Sequence, residues 1–175
     1  MLNERLSPHL HAPTLCFTSV APTPLPRRGY VLAMTLTAKE IAFLESQHSA
    51  AMITIGEGGV PKAVRVGVVL VDGNLWSSGT RDRVRTRRLR RDPRCTLFVF
   101  DQQYGSLSLE TRVTILDGPE AAAQNVRLFR RMQNRPTGPL SWFGGELDED
   151  SFIRAMEDEG RVVYQFEVER AYGLA

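Results

Sequence analysis

From Thr35 onward the apolar positions of the chain fall into short blocks that alternate with polar turns. Ala50–Ile55 is a compact apolar run, ended by the glycine-rich stretch 56–59, whose place between two strands makes it a turn rather than a phosphate loop. Residues 62–71 form a long, valine-rich block, and Asp72-Gly73 behind it is a strong two-residue hairpin signal. Residues 75–78 return as a strand. Thr96–Phe100 and Ser106–Leu116 add two more, joined by the polar turn Gln102-Gln103-Tyr104-Gly105, and Val162–Val168 closes the set. Helical spacing interrupts this pattern. Thr37 with Glu40 forms a capping box ahead of a helix whose inner stripe is Ile41, Leu44 and His48. Pro119 opens a second helix, with Ala122, Val126 and Phe129 on one face, and Asp148 caps a third with Phe152 and Met156 inward. Residues 134–145 read as a loop carrying Trp142 and Phe143, where packing on the barrel outweighs a cover over a substrate. Six strands in a meander with inserted helices predict a mainly β, α+β fold: a six-stranded antiparallel barrel with peripheral helices.

One stretch departs from the alternation. Between Arg81 and Arg94 stand eight arginines against Asp82 and Asp92, a local charge near +6 on a helical segment that follows a strand end. The amides of Gly79, Thr80 and Arg81 would lie at the helix N-terminus, where the helix dipole favours negative charge. Arg83, Arg85 and Arg88 follow with the spacing R-x-R-x-x-R; 85 and 88 share a helix face, and 83 reaches back over the terminus. Guanidinium is the planar, permanently charged fork that suits phosphate oxygens. The same residues also read as a solvated basic face or as a contact for a nucleic-acid backbone.

The whole-chain balance changes this picture only slightly. In 175 residues the net charge is +2, so there is no global basic field. The stretch 146–159 holds seven acids and one Arg, and in a homodimer it could face the basic stretch. Five prolines between Pro8 and Pro26, and no sustained periodicity, mark residues 1–33 as disordered or as an extension upstream of a true start at Met34, leaving 34–175 as one domain. Cys16 and Cys95 make neither a disulfide framework nor a metal spacing, and Cys95 is expected to pack as a small hydrophobe. No apolar run is long enough to span a bilayer, and the reading is a cytoplasmic protein with neither membrane nor nucleic-acid partner. His48 is the one histidine outside the first 33 residues, and no catalytic triad, metal cluster or Walker loop is visible.

The run from Gly59 to Phe100 resembles the pyridoxamine 5'-phosphate oxidase-like, or flavin-reductase-like, split β-barrel proteins. The signs are Gly59 and Pro61 opening a long strand, a strand ending at Ser77-Ser78-Gly79, and the segment from Arg83 through Leu89-Arg90-Arg91-Asp92-Pro93-Arg94. The closing Val168-Glu169-Arg170-Ala171-Tyr172-Gly173 resembles the branch that uses the deazaflavin coenzyme F420. The resemblance implies an FMN-binding split-barrel fold, a homodimer, and a cofactor held in a groove between the barrel and its partner. It implies a phosphate gripped by Arg83 and Arg85, with Ser78, Gly79, Thr80 and Thr86 beside them. Arg65, Val66 and Gly67 would line the ring system, and Tyr104 and Gly105 would touch it from a neighbouring turn, in the same or the other subunit. Arg85 stands where the family usually has Lys, and Arg88 where it often has Asn; the added cation suits the polyglutamate tail of coenzyme F420.

The expected function is therefore coenzyme F420-dependent reduction of a small conjugated substrate, with FMN as the alternative cofactor. No protein side chain is expected to act as a catalytic group, because the cofactor carries the hydride. A non-catalytic flavin or deazaflavin carrier is a second reading. Nucleic-acid binding is disfavoured by the near-neutral net charge and by the lack of aromatics within 81–94.

Overall fold

The computed structural model describes residues 36–174, so the expectations for residues 1–33 and Cys16 lie outside the described residues. Helix α1 (Ala38–Ser46) starts as its sequence requires. Thr37 Oγ1 accepts from the Glu40 amide at 3.3 Å, and Glu40 Oε2 accepts from the Thr37 amide at 2.7 Å. Its inner stripe is narrower than predicted. Leu44 is buried and Phe43 packs on the core, but Ile41 is 37% exposed and His48 lies beyond the C-cap Gln47, also exposed.

The strands are β1 (Ser49–Ile55), β2 (Pro61–Gly67), β3 (Val69–Val71), β4 (Asn74–Thr80), β5 (Arg94–Phe100), β6 (Ser106–Leu116), β7 (Leu140–Trp142), β8 (Gly145–Leu147) and β9 (Arg161–Leu174). Seven of them form one antiparallel sheet in the order β2-β1-β5-β6-β9-β4-β3. Its two edge strands are consecutive in the chain. The predicted single strand 62–71 breaks at Val68, whose amide donates to the His48 carbonyl at 3.2 Å, and pairs with β1 before the break and with β4 after it. One kinked segment thus joins both edges and curls the sheet into the split barrel, so the expected six strands are seven pieces of the same fold.

The inward positions (Met52, Leu97, Val99, Leu107, Leu109, Tyr164 and Phe166 among them) fill the barrel core with α1's Leu44. Outside β3 and β4, Val69, Val71, Trp76 and Val163 pack against Leu128 of α3 (Ala121–Met132), which explains why β3 is buried on both faces. Helix α4 (Glu149–Asp158) is capped by Asp148, whose Oδ1 accepts from the Ser151 amide at 2.8 Å, and it buries Phe152 and Met156 as expected. Two elements differ from the sequence reading. The stretch 134–145, expected as a loop, contributes to the β7–β8 hairpin (Leu140–Trp142 with Gly145–Leu147), turning through positive φ at Phe143 and Gly144. Trp142 packs edge-on to Phe129 and Phe152, while Phe143 at the tip is 85% exposed. Strand β9 also runs on past Val168 to Leu174, because a bulge at Glu169 resets its alternation and keeps it paired with β6.

Candidate functional site

The Arg-dense segment folds as helix α2 (Val84–Arg91), and its guanidinium groups divide into two sets. Five are tied into the fold. Arg81 Nη2 donates to the Asp117 carbonyl at 3.0 Å, and Arg87 Nη1 to the Asp82 carbonyl at 2.6 Å. Arg90 pairs with the Asp117 carboxylate at 2.8 Å, Arg91 donates to the Ile55 carbonyl at 2.9 Å, and Arg94 grips Asp92 through Nε at 2.9 Å and Nη2 at 2.7 Å. Those bonds hold the Asp92 carboxyl down to about 2. The other three are Arg83, Arg85 and Arg88, the residues of the R-x-R-x-x-R spacing. None has a hydrogen-bond or ion-pair partner among the described residues.

The helix start adds donors. Its N-cap is Arg83, a side chain with no acceptor, so no side chain caps the amides of Val84, Arg85 and Thr86, of which Thr86 is buried. The approach to them is firmly held. The Arg81 amide donates to the Gly160 carbonyl at 2.8 Å and the Arg83 amide to the Thr80 carbonyl at 3.3 Å. Arg85 is half-buried; its Nε is buried with no partner, and its guanidinium lies 5.9 Å above the Tyr164 ring centre. Arg88 lies in the last turn of α2, but Arg83, Arg85 with its orphaned buried Nε–H, and the uncapped amides all belong to the helix start. An anion with several acceptor oxygens satisfies all of them, and phosphate is such a group.

The remaining predicted residues separate. Thr80 and Thr86 join this corner, but Thr86 Oγ1 is already engaged, donating to the Thr80 carbonyl at 2.7 Å. The Ser78 hydroxyl is likewise occupied, donating to Asn125 Oδ1 at 2.6 Å and lying 3.5 Å from Arg161 Nη1. Gly79 is buried, and a methyl group there would fall on the Tyr164 hydroxyl, so a tyrosine inside the barrel is what demands glycine. On β2, Arg65 is exposed beside a hollow of about 250 Å³ lined by Ser49, Ala51, Ala63, Val64 and Phe100. Val66, in contrast, turns its side chain into the core and does not line that hollow. Gly67 lies against Met132 of α3, whose Cε would stand 2.8 Å from an added methyl.

Tyr104 and Gly105 do not reach this corner within one chain. Arg81 and Arg90 anchor α2 to Asp117, just beyond the C-terminal end of β6, whereas Tyr104 and Gly105 precede the other end. Eleven residues of strand lie between, roughly 36 Å. Gly105 instead packs near Phe43 of α1, and its amide donates to Asp101 Oδ1 at 3.0 Å.

The outer face of the sheet is open near β2. Phe98 and Phe100 stack there at 5.6 Å, being 37% and 53% exposed, with Tyr172 in register with Phe98 on the same face. In register, Arg65, Ala51, Phe98, Ser108 and Tyr172 form one row across five strands. The acidic stretch does not meet the basic one in this chain. Glu146 pairs with Arg135, Glu149 with Arg130 and Glu159 with Arg161. Cys95 is buried, which pushes its thiol up to about 12 and makes it inert as a nucleophile at neutral pH. Among the described residues no group of His, Cys, Asp or Glu is arranged to hold a metal, and no helix is long and apolar enough to cross a membrane.

Tyr164, Asn125, Asp117 and Arg161 were not legible as site residues. Each acts across a large sequence separation, and Tyr164 sits in an apolar run where tyrosine reads simply as a strand former.

Residues 36–174 match the sequence profile described as pyridoxamine 5'-phosphate oxidase. None of the curated proteins matches the chain. Among solved structures, a conserved hypothetical protein of Mycobacterium tuberculosis is 22% identical with TM-score 0.63, covering 82% of this chain and 87% of that one. A protein named F420 reductase is 19% identical with TM-score 0.56, covering 75% and 94%. An FAD-binding protein of Mesorhizobium loti is 15% identical with TM-score 0.52, covering 79% and 92%. At these identities the likeness bears on the fold.

Proposed function

Because the chain belongs to the pyridoxamine 5'-phosphate oxidase family, we propose that it is an oxidoreductase that holds the phosphate of coenzyme F420 at the N-terminus of α2. The observation that carries this reading is the division of the arginines. Five are spent on the fold, and of the three left free, Arg83 and Arg85 stand at the uncapped start of α2 with Arg88 one turn on. Arg85, with its buried unpartnered Nε, would take the phosphate at closest range. Arg83 and the amides of Val84–Thr86 would close over it, and half-buried Arg88, one turn on, would meet carboxylates further along an anionic tail. Bound there, the cofactor supplies hydride transfer, and the protein's part is to hold, orient and exclude water. The residues of the hollow beside Arg65 would then face the ring system, with Ala51, Ala63 and Ser49 small enough to admit a flat group.

The open face of Phe98, Phe100 and Tyr172 supports a homodimer, with the second copy covering that hollow. Tyr104, 93% exposed at the opposite end of the barrel, could then join the site only from the partner. FMN is the second reading. The same corner would hold its single phosphate, and the FAD-binding neighbour shares the fold.

Titration of the purified protein with coenzyme F420 and, separately, with FMN, followed by fluorescence, tests the reading. Micromolar or tighter binding of coenzyme F420 with weak FMN is expected. The reverse preference moves the protein to the flavin reading, and binding of neither refutes the phosphate grip. Turnover of a bound, reduced cofactor with conjugated acceptors separates an enzyme from a carrier.

A further inference from the structure

The hydroxyl of Thr86 has one proton, and it gives that proton to the Thr80 carbonyl at 2.7 Å. Its 2.5 Å contact with the Tyr164 hydroxyl is therefore one in which Tyr164 donates. Tyr164 is fully buried on β9, opposite Ser77 of β4, and its hydroxyl occupies the space that Gly79 leaves free. The face of the same ring lies under the Arg85 guanidinium. Two consecutive residues of α2 are thus held by one buried phenol, Thr86 through the hydroxyl and Arg85 through the ring. Thr86 in turn ties the first turn of α2 back to the end of β4 across the loop of residues 81–83.

We propose that Tyr164 is a positioning residue for the anion grip: its hydroxyl fixes the first turn of α2 and its ring fixes Arg85, so the donors stand in place before the ligand arrives. The inference rests on the phosphate-grip reading above and names what builds the grip. Prearranged donors raise affinity by removing the cost of ordering them on binding, and that gain applies to the phosphate alone.

The test compares ligands that differ by the phosphate: FMN with riboflavin, and coenzyme F420 with its phosphate-free deazaflavin core, each titrated on the full chain. Wild type is expected to prefer the phosphate-bearing member. In Tyr164→Phe that preference should fall roughly three- to tenfold, the range for one lost hydrogen bond, with phosphate-free binding unchanged. Thr86→Val should lose as much, Thr86→Ser should retain the preference, and the Tyr164→Phe/Thr86→Val double variant should lose little more than either alone. The Thr86 variants keep the test alive if Tyr164→Phe fails to fold. An unchanged preference in folded Tyr164→Phe, with only the melting temperature lowered, overturns the proposal and makes Tyr164 a core residue. A wild type with no preference for phosphate overturns the grip itself and this inference with it.

Discussion

Replacing Arg85 with methionine should make the ligand-free protein more stable and the same protein a poorer binder. Methionine keeps the length and apolar stem of the side chain and matches arginine in helix propensity. What it removes is a buried Nε with no partner, a group whose burial costs about 1–3 kcal/mol when unsatisfied. It also removes a cation from the first turn of α2, where the helix dipole disfavours one by about 0.3–1 kcal/mol. Against these gains stands the guanidinium on the Tyr164 ring, which at 5.9 Å is at the limit of a useful contact. Such contacts are worth about 0.5–1 kcal/mol. The balance favours Arg85→Met by about 1–2 kcal/mol, a rise in melting temperature of roughly 2–8 °C for a chain of this size. Phosphate binding should move the other way, by about 1–3 kcal/mol for a lost charged hydrogen bond, or roughly five- to 150-fold in dissociation constant. Ligand-free thermal melts and cofactor titrations on the same two preparations read both signs. A ligand-free variant less stable than wild type would show that the Nε is not orphaned. Unchanged affinity would show that Arg85 does not hold the phosphate.

Other expectations follow from single features. Phe98→Glu on the open sheet face should give a monomer by light scattering, with the fold retained by circular dichroism; a dimer that survives the charge would place the interface elsewhere. Cys95 titrates higher folded, at about 12, than its ordinary 9.0, so the unfolded chain loses its proton first. Stability should be independent of this thiol below pH 9 and decline between pH 9 and 12, and a Cys95→Ala protein in urea melts should lack that component. Asp92 carries the opposite sign, with a folded value of about 2 against 3.8. Its contribution is present above pH 3.8 and is lost toward pH 2, so Asp92→Asn should cost less than about 1 kcal/mol at neutral pH for a surface pair and nothing in strong acid.

Local chemistry was readable where one stretch of chain decides its own conformation. Thr37 with Glu40, Asp148 with Ser151 and the hairpin at Asp72-Gly73 all form from residues three or fewer positions apart, and each appears where expected. The R-x-R-x-x-R spacing singled out the three arginines that the fold leaves free. What could not be read depends on distant partners. The break at Val68 is set by the His48 carbonyl and by the need of one segment to pair with both β1 and β4. Hairpin β7–β8 packs Leu140, Trp142 and Leu147 against α3 and α4, partners distant in the chain. Gly79 reads as a strand-end glycine whose amide serves a phosphate, and its actual constraint is a tyrosine 85 positions away by number.

The sheet order also sets when the site can exist during synthesis. Strands β3 and β4 are tied to the rest of the sheet through β9 alone, apart from the kink at Val68. The end of β4 and the start of α2 therefore lack their neighbour until residues 161–174 have left the ribosome, some eighty positions after Arg85 itself. Until then the Arg-dense stretch is a cationic segment whose anchor at Asp117 has been made but whose partners Gly160 and Tyr164 are not yet in place. Domains generally fold as units once their last pairing element is available. In this chain the last strand made is the one that turns a run of free arginines into a site.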